Sequence, residues 1–578
     1  MILQALVDYY EAMAKQGKLA KPGWCEAKIS YGLNISPEGD LLDVVSMKIS
    51  VQKGKKTVET PQGIIMPEAT KRSSNVAAQF LWDNSRYVLG MDKDPKNKRA
   101  RECFTAMTKK CDEVLSGTDT FGANALKNFF AKWNPTDGYS NSLLLPYLDE
   151  ILSGINITFL VNGHLLSEDE SISSAWDTYY SAKATGSCGI CPVTGKRAPI
   201  ARLHPNIKGV KDAQSSGAAL VSFNASAFES YGHEQGMNAN ISEYAAFAYT
   251  TALNNLLAAE KHHQILGDTT VVFWTKNAND GCSDFLSNFL SDHIEDRDLK
   301  DFFEAIARGK PLTYNGLDIN PSDKFYILGI SPNAARLSVR FFLVNTFGYF
   351  MENIAEFYND FAIVKPSYDE KEHLAIWKIL LETANKNSKD KASSPLLVGA
   401  FLRTLLTGSN YPEALYQNIL LRTKADQDNP DKYIQKVNRI KAAVIKAYLI
   451  RNKKEVITMV LDKEKNDPGY VMGRLFAVLE QLQEEANPGI NSTIKDRYFN
   501  SACSTPGIVF PILLKLANSH KRKLSDRKGL AIHYDKEIGA LVGKVEEIPI
   551  RLDLKEQGEF ILGYYHQVQY RYTKKEDK

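Results

Sequence analysis

The segment from Lys208 to Gly217, Lys-Gly-Val-Lys-Asp-Ala-Gln-Ser-Ser-Gly, combines two lysines with short polar side chains on a glycine-containing backbone. Such a backbone can approach a phosphate group or the edge of a nucleobase closely, and the polar groups can then hydrogen-bond to it. Between Gly195 and Ser215 a single acid, Asp212, stands against five basic residues, namely Lys196, Arg197, Arg202, Lys208 and Lys211. A loop that only faces water has a similar composition, so both interpretations stay open.

A second polar and basic stretch, Lys71-Arg-Ser-Ser-Asn75, precedes a helix-like segment over Val76–Asp83. Asparagine and glutamine suit base edges, whereas lysine and arginine suit phosphates. Ser74 and Asn75 could instead serve only as caps of that helix. We predict that these two stretches bind nucleic acid, together with two asparagines that follow the first stretch in the sequence. The predicted residues are Lys71, Arg72, Ser74, Asn75, Lys208, Lys211, Gln214, Ser215, Ser216, Asn224 and Asn238.

A third basic region, from Lys432 to Lys454, contains eight basic residues and no acid. Helical spacing places Lys432, Lys436 and Arg439 on one face, where a row of cations would follow a phosphate backbone. With Lys446, these three are the predicted contacts to nucleic-acid backbone. A helix that exposes lysines to water is the alternative.

Cys188-Gly-Ile-Cys191 has the spacing of half a zinc site or of a thiol redox pair. No second pair of this kind follows, and His204 and His233 are the nearest histidines on its C-terminal side. A tight turn is as good an interpretation as a zinc site, and redox catalysis is a weaker one. His262-His263 is interpreted as a surface pair. Motifs for nucleotide binding or hydrolysis are absent from the sequence, so we expect neither a cofactor nor a catalytic centre.

The composition is that of an ordinary globular protein, with 578 residues, 44% hydrophobic and 24% charged residues, and a net charge of +3. Seven scattered cysteines argue against a disulfide framework. Asp8 lies too close to the N-terminus for a signal peptide, and no apolar run approaches the roughly 20 residues of a membrane span. We therefore expect a soluble, cytoplasmic protein that does not bind membranes.

Hydrophobic periodicity predicts an α+β protein. Short strand-like runs and helices alternate up to about Val344, and Thr270–Thr275 is the clearest buried strand. Beyond Phe347 nearly all segments have helical periodicity, among them Lys371–Asn385, Tyr411–Ala425, Pro506–Leu524 and Glu537–Glu546. We predict a mixed α/β N-terminal body over 1–347, a helical region with the basic helix over 348–458, and a C-terminal all-α helical bundle over 459–578.

Strings along the whole chain resemble the large subunit of the type I-C CRISPR Cascade surveillance complex, the Csd-type family. The longest are Met1-Ile-Leu-Gln-Ala-Leu-Val-Asp-Tyr-Tyr, Leu203-His-Pro-Asn-Ile-Lys-Gly-Val, Ser230-Tyr-Gly-His-Glu-Gln-Gly-Met-Asn, Gly329-Ile-Ser-Pro-Asn-Ala-Ala-Arg-Leu-Ser-Val-Arg-Phe-Phe and Gly473-Arg-Leu-Phe-Ala-Val-Leu-Glu. The resemblance implies a non-catalytic subunit of an RNA-guided DNA-binding complex. Guide RNA reads the target by base pairing, and the protein reads a short adjacent motif, the PAM, on duplex DNA.

The resemblance also implies partners. These are CRISPR RNA with its backbone and handle-binding subunits, double-stranded target DNA, a small subunit, and a separate helicase-nuclease that is recruited after the duplex opens. The resemblance implies a T-rich PAM. The loops at 71–75 and 208–216 are expected to face the PAM duplex because they are rich in short polar and basic residues and lack core periodicity. The alternative from another class is a metal-dependent nucleic-acid-processing enzyme that uses Cys188 and Cys191. A plain RNA-binding scaffold is a third interpretation.

Met459 has a role that is implied by the resemblance alone. In the type I-C family the small subunit is made by internal translation from the large-subunit gene, and Met459-Val-Leu-Asp resembles that start. A product from Met459 to Lys578 would have 120 residues, enough for an independent helical bundle. Met472 is a competing start, and a core methionine without any such role is the simpler interpretation of Met459.

Overall fold

The computed structural model describes residues 1–53, 56–70, 76–182, 187–308, 310–389 and 392–572. The chain divides into two compact units. Unit 1 comprises Met1, Leu3–Pro205 and Val221–Ala252, and unit 2 comprises Ile2, Asn206–Leu220 and Leu253–Lys578.

Unit 1 is a mixture of strands and helices. Its helices are α1 (Ile2–Lys15), α2 (Ser85–Val88), α3 (Lys98–Val114), α4 (Phe121–Lys132), α5 (Leu148–Ile151), α6 (Glu170–Ala182) and α7 (Glu243–Ala258), the last of which continues into unit 2. Its strands are β1 (Trp24–Ile29), β2 (Tyr31–Ile35), β3 (Leu41–Ser46), β4 (Lys48–Lys53), β5 (Lys56–Pro67), β6 (Trp82–Asp83), β7 (Ile157–Val161), β8 (His164–Leu165), β9 (Cys188–Ile190) and β10 (Arg197–Pro199).

The core of unit 1 lies on a five-stranded sheet with the order β3-β2-β7-β6, in which β8 also pairs with β7. The central pair, β2 and β7, is parallel and sets Leu33 opposite Phe159. Both side chains are fully buried, and the ring of Phe129 on α4 packs edge-on against Phe159 at 5.3 Å. All five residues of β7 are buried, and its one polar residue, Thr158, donates its hydroxyl to the carbonyl of Leu81 at 3.0 Å.

Unit 2 begins with strands and continues with helices. Its strands are β11 (His263–Leu266), β12 (Thr269–Thr275), β13 (Leu312–Tyr314), β14 (Leu317–Ile319), β15 (Lys324–Asn333) and β16 (Arg336–Thr346). Its helices are α8 (Asp280–Leu290), α9 (Asp296–Ala307), α10 (Phe347–Phe361), α11 (Ile376–Leu381), α12 (Pro395–Thr407), α13 (Glu413–Ala425), α14 (Arg439–Lys453), α15 (Pro468–Ala486), α16 (Ile494–Ser504), α17 (Pro506–Lys523), α18 (Lys528–Val542) and α19 (Leu554–Tyr572).

The four-stranded antiparallel sheet of unit 2 has the order β11-β12-β15-β16. Every residue of β12 is buried, and Trp274 stacks on Tyr326 of β15 at 5.3 Å. The prediction of a buried strand over Thr270–Thr275 is therefore confirmed. Among the helices, α15 and α19 approach closely at glycines: a Cβ at Gly473 would lie 1.9 Å from the carbonyl oxygen of Phe560. Side chains larger than hydrogen cannot be accommodated there unless the helices move apart.

The predicted fold class is confirmed, since an N-terminal α/β body precedes a C-terminal helical region. The last strand ends at Thr346 and α10 starts at Phe347, so the change in secondary structure falls inside unit 2. The division at 347 and 458 into three domains stays a prediction. In the described part of the chain, no helix is long and apolar enough to cross a membrane.

Two local predictions are wrong because tertiary contacts override local pattern. The segment over Val76–Asp83 is not a helix: it ends in strand β6, where the Trp82 indole donates to the carbonyl of Pro67 at 2.9 Å. Of the helix that Lys371–Asn385 predicts, only Ile376–Leu381 forms. Before it, the amide of Glu372 donates to the carboxylate of Asp296 at 2.8 Å, which holds this backbone in a non-helical path.

Candidate nucleic-acid interface

The segment Asn206–Leu220, here called the polar loop, is an ordered loop of unit 2. An antiparallel bridge between Ile207 and Ala218 closes its base. The amide of Lys208 donates to Asn254 Oδ1 at 2.8 Å. Gly217 has φ +92°, and a Cβ there would lie 2.8 Å from the carbonyl oxygen of Ile207, so only glycine fits this turn.

The tip of the polar loop exposes the side chains that the sequence assigns to nucleic acid. Lys208, Gln214, Ser215 and Ser216 are all exposed. Lys211 is exposed too, but its ammonium already donates to the carbonyl of Gly267 at 2.9 Å. An ordered backbone that presents exposed amide, hydroxyl and ammonium groups is preorganised for hydrogen bonding, because little entropy is lost when a ligand binds.

Two asparagines that the sequence assigns to nucleic acid, Asn224 and Asn238, follow the polar loop in the chain. Asn224 is exposed. The Asn238 side chain is used within unit 1: its Oδ1 accepts from the amide of Ser230 at 2.9 Å, and its Nδ2 donates to the carbonyls of His233 and Gln235 at 2.8 and 2.9 Å. The structure thus gives Asn238 a role in holding a turn, which contradicts its interpretation as an amide open to a base edge.

That turn presents an aromatic residue that sequence reasoning missed. The amide of His233 donates to the carbonyl of Ser230 at 3.0 Å, and Tyr231 and Gly232 between them have φ of +55° and +71°. Positive φ is unfavourable for tyrosine, and such strain is often found at functional sites. The Tyr231 side chain is 96% exposed. The sequence signal that could have identified Tyr231 is its position before a glycine in a polar stretch, which is typical of a turn.

The stretch Lys71–Asn75 lies outside the described residues. The predicted contacts of Lys71, Arg72, Ser74 and Asn75 with nucleic acid therefore stay predictions.

The basic segment Lys432–Lys454 does not form the predicted row of exposed cations. Helix α14 begins only at Arg439, and Tyr433, before it, has φ +53°, so Lys432, Lys436 and Arg439 do not share a helical face. Lys436, Arg439 and Lys446 are 1%, 5% and 2% exposed. Of the four predicted residues only Lys432 is exposed. The structure therefore contradicts this part of the prediction.

Internal hydrogen bonds explain the burial of these cations. The Lys436 ammonium donates to the carbonyls of Thr423 and Lys424 and to Asn500 Oδ1, at 3.1 to 3.2 Å. Lys446 donates to the carbonyl of Asp360 at 3.0 Å. Burial lowers the pKa of both lysines.

Arg439 forms an ion pair with Asp369 at 2.8 Å. Lys441, which the sequence did not single out, is fully buried and pairs with Asp426 at 2.8 Å. A buried charge is tolerated only when it is paired or hydrogen-bonded, and these cations meet that condition within unit 2.

The two cysteines of the Cys-x-x-Cys pair lie on a hairpin of β9 and β10. Cys188 is exposed, whereas Cys191 is buried and its sulfur accepts from the amide of Ser242 at 3.3 Å. Burial raises the pKa of Cys191, but hydrogen bonds from Ser242 and Thr194 outweigh it and lower the pKa to about 7. Within the described residues, no group of three His, Cys, Asp or Glu side chains could hold a metal ion. The hairpin turn is the role that the contacts support.

The interpretation of His262-His263 as a surface pair is wrong for the first of the two. His262 is 3% exposed, with Nδ1 at 3.2 Å from the carbonyl oxygen of Phe273 and Nε2 at 3.2 Å from Asp280 Oδ1. A partner 18 residues away in the sequence fixes this ring, and local pattern carries no signal for it.

Met459 lies between α14 and α15 and is 53% exposed, so it is not a core methionine. Its carbonyl accepts from the amide of Val364 at 2.8 Å. The competing Met472 is fully buried within α15. The segment from Met459 onward contains all of α15 to α19.

No curated protein matches the chain. The profile of a protein family described as CRISPR-associated protein (Cas_Csd1) matches residues 6–572, which is nearly the whole chain. The resemblance found in the sequence is thereby confirmed, and the chain belongs to the Cas_Csd1 family of CRISPR-associated proteins.

Proposed function

We propose that this protein is the non-catalytic large subunit of an RNA-guided surveillance complex of type I-C, and that it recognises the PAM on double-stranded DNA. In this proposal it promotes duplex opening and R-loop formation and supports recruitment of the separate helicase-nuclease. The observation that carries the proposal is the polar loop: an anchored backbone that exposes Lys208, Gln214, Ser215 and Ser216 in a member of a CRISPR-associated family.

The division of work within the loop follows from side-chain chemistry. Gln214 has an amide that can form two hydrogen bonds with one base edge in the major groove, which discriminates between bases. Lys208 carries a point charge that suits a phosphate and has no base preference. Lys211 is the less suitable of the two lysines, since its ammonium already binds the carbonyl of Gly267.

The proposed complex contains CRISPR RNA, its backbone and handle-binding subunits, the small subunit and this chain in the cytoplasm. The sequence strings that resemble type I-C large subunits support these partners. A metal-dependent enzyme that uses Cys188 and Cys191 is the competing proposal. If it is right, the isolated protein cleaves DNA or RNA when supplied with Zn²⁺ or Mg²⁺. Cleavage by the parent that the Cys188→Ser variant lacks would support the enzyme and contradict the proposal above.

Gln214→Ala tests the reading of the PAM. In the assembled complex we expect binding of the preferred PAM duplex to weaken by roughly 1–3 kcal/mol, and binding of duplexes with altered PAMs to weaken less. The difference in affinity between PAM sequences therefore becomes smaller. Gln417→Ala, at an exposed glutamine of α13, is the matched control and should leave all affinities unchanged. If Gln214→Ala binds every PAM variant as the parent does, Gln214 does not read the PAM.

We also propose that translation starts internally at Met459. A protein that starts there keeps α15 intact, whereas a start at Met472 loses the first turn of α15, including Tyr470, whose hydroxyl lies 2.9 Å from His566 Nδ1 of α19. Expression of the native coding sequence with a C-terminal tag should give a short product beside the full-length chain. That product should vanish when the Met459 codon is changed to leucine and persist when the Met472 codon is changed. Full-length protein alone would contradict the proposal.

A further inference from the structure

A cavity of about 290 Å³ in unit 2 shares no residue with the polar loop and only Arg439 with the predicted contacts of the basic segment. Its walls come from the loop Pro366–Tyr368, from the residues at the start of α14, and from the C-terminal half of α19. The volume is close to the lower end of small-molecule pockets in proteins, roughly 300–1,000 Å³. A flat ring with one substituent is the kind of ligand that such a volume admits.

Four of the residues that line this cavity are tyrosines. Tyr368 and Tyr572 stand on its walls and are 75% and 66% exposed. Deeper in, Tyr565 is 3% exposed and its hydroxyl donates to the carbonyl of Val364 at 2.7 Å, which fixes the ring. Exposed tyrosine rings beside an apolar recess offer faces on which another flat ring can stack.

The ionisable lining of the cavity, apart from tyrosine, is cationic. Lys495 and Arg439 contribute to the walls, and no acidic side chain does so in the described part of the chain. The Lys495 ammonium is 2.6 Å from Asp428, and Arg439 pairs with Asp369 at 2.8 Å, so each of the two cations already has one carboxylate partner. Arg439 Nε is buried without a hydrogen-bond partner among the described residues. A buried unpaired donor is uncommon, so the wall carries polar capacity that unit 2 leaves unused.

We infer that this cavity binds a nucleobase of single-stranded nucleic acid, with its ring stacked against Tyr368 or Tyr572 and its phosphate toward Lys495. Base stacking on aromatic side chains is tolerant of sequence and is the usual way in which proteins hold unpaired strands. The exposed amide of Gln435 on the same wall can bond to a base edge. The cationic lining opposes a cationic ligand, such as a methylated lysine, and favours a ligand with a phosphate.

The inference rests on the proposed function in one respect, since duplex opening supplies an unpaired strand. It concerns a different part of the molecule, because the polar loop and this cavity share no residue. Binding of an oligonucleotide to the cavity and reading of the PAM can therefore fail independently.

The test is titration of the full-length chain with a fluorescein-labelled oligothymidylate. Stacking is worth about 1–3 kcal/mol per base, so Tyr368→Ala or Tyr572→Ala should weaken binding by roughly 5- to 150-fold. Tyr368→Phe keeps the ring and should bind nearly as the parent does. Trp377→Ala, at a 48% exposed tryptophan that does not line the cavity, is the control for loss of an exposed aromatic side chain.

A second measurement locates the strand. Ultraviolet cross-linking with a thymidylate probe that carries 4-thiothymidine should give adducts in peptides that contain Tyr368 or Tyr572. Unchanged affinity in both alanine variants, or adducts confined to other peptides, would overturn the inference. If a proline-rich peptide binds the chain through Tyr368 or Tyr572 and the oligothymidylate does not bind, the cavity belongs to a protein partner instead. A chain that binds the oligonucleotide here but has no PAM preference would contradict only the proposed function.

Discussion

The polar loop and the basic segment Lys432–Lys454 look alike in the sequence and differ in the structure. Both have a positive net charge: the polar loop has two lysines against one acid, and the basic segment has eight cations and no acid. In the polar loop Lys208 is exposed, while in the basic segment Lys436, Lys441 and Lys446 are at most 2% exposed. The comparison teaches that the density of positive charge along a chain says little about whether the charge meets solvent.

The difference has a physical cause in the apolar residues between the cations. The basic segment contains Ala442, Ala443, Val444 and Ile445, all fully buried, so α14 lies inside the helical region and carries its lysines inward. The polar loop has Val210 as its one buried large apolar residue between the closing pair Ile207 and Ala218. Cations within a long apolar run are buried together with it, provided that carbonyl or carboxylate oxygens in the core accept their hydrogen bonds.

Lys441→Met gives the largest expected effect. The substitution removes the closer cation from Asp426, which is 3% exposed, and leaves it with Arg422 at 3.8 Å; we expect a loss of about 3–5 kcal/mol in the free energy of unfolding of unit 2. Urea denaturation measures it. Lys432→Met, at the exposed end of the same segment, is the matched control and should change stability by less than about 0.5 kcal/mol. Equal effects of the two substitutions would erase the contrast drawn above.

Glu559 makes the buried helical region sensitive to pH. Burial and the nearby Asp467 outweigh Lys555 and raise the pKa of Glu559 from 4.5 to about 7. A raised folded-state pKa stabilises the fold fully below pH 4.5 and less as the pH rises through 7, because the unfolded chain releases its proton first. The loss is at most about 3 kcal/mol.

Thermal unfolding between pH 4.5 and 7.5 checks this expectation, and Glu559→Gln should remove that part of the pH dependence. An identical pH profile for the parent and Glu559→Gln would show that the carboxyl group is ionised in the fold as it is in water.

The smallest effect separates the two regions most directly. Lys208→Gln should reduce the slope of log affinity against log salt for the PAM duplex by about 1, since one phosphate contact is lost, while the PAM preference stays. Lys436→Gln should leave that slope unchanged and lower the stability instead, because its ammonium is used internally. The reverse pattern would mean that the basic segment, and not the polar loop, meets the DNA backbone.

Much of the helical region follows from the sequence alone. The segments predicted over Pro506–Leu524 and Tyr411–Ala425 form helices over Pro506–Lys523 and Glu413–Ala425. Apolar periodicity and proline punctuation are local signals, and these helices obey them. The prediction over Glu537–Glu546 is less accurate, since α18 runs from Lys528 to Val542 and begins nine residues earlier.

The fold class, the family and the polar character of the loop that carries the proposal can all be inferred from the order of the amino acids. Which polar groups stay available for a ligand depends on contacts between distant parts of the chain. The Lys436 ammonium donates to the carbonyls of Thr423 and Lys424 and to the side chain of Asn500. The Asn238 side chain accepts from the amide of Ser230, at the turn that contains Tyr231. The cavity beside Tyr368 and Tyr572 joins side chains that are about 200 residues apart in the chain. Local pattern reports the chemistry that a side chain can perform, but long-range packing decides whether that side chain meets a ligand or the interior of its own fold.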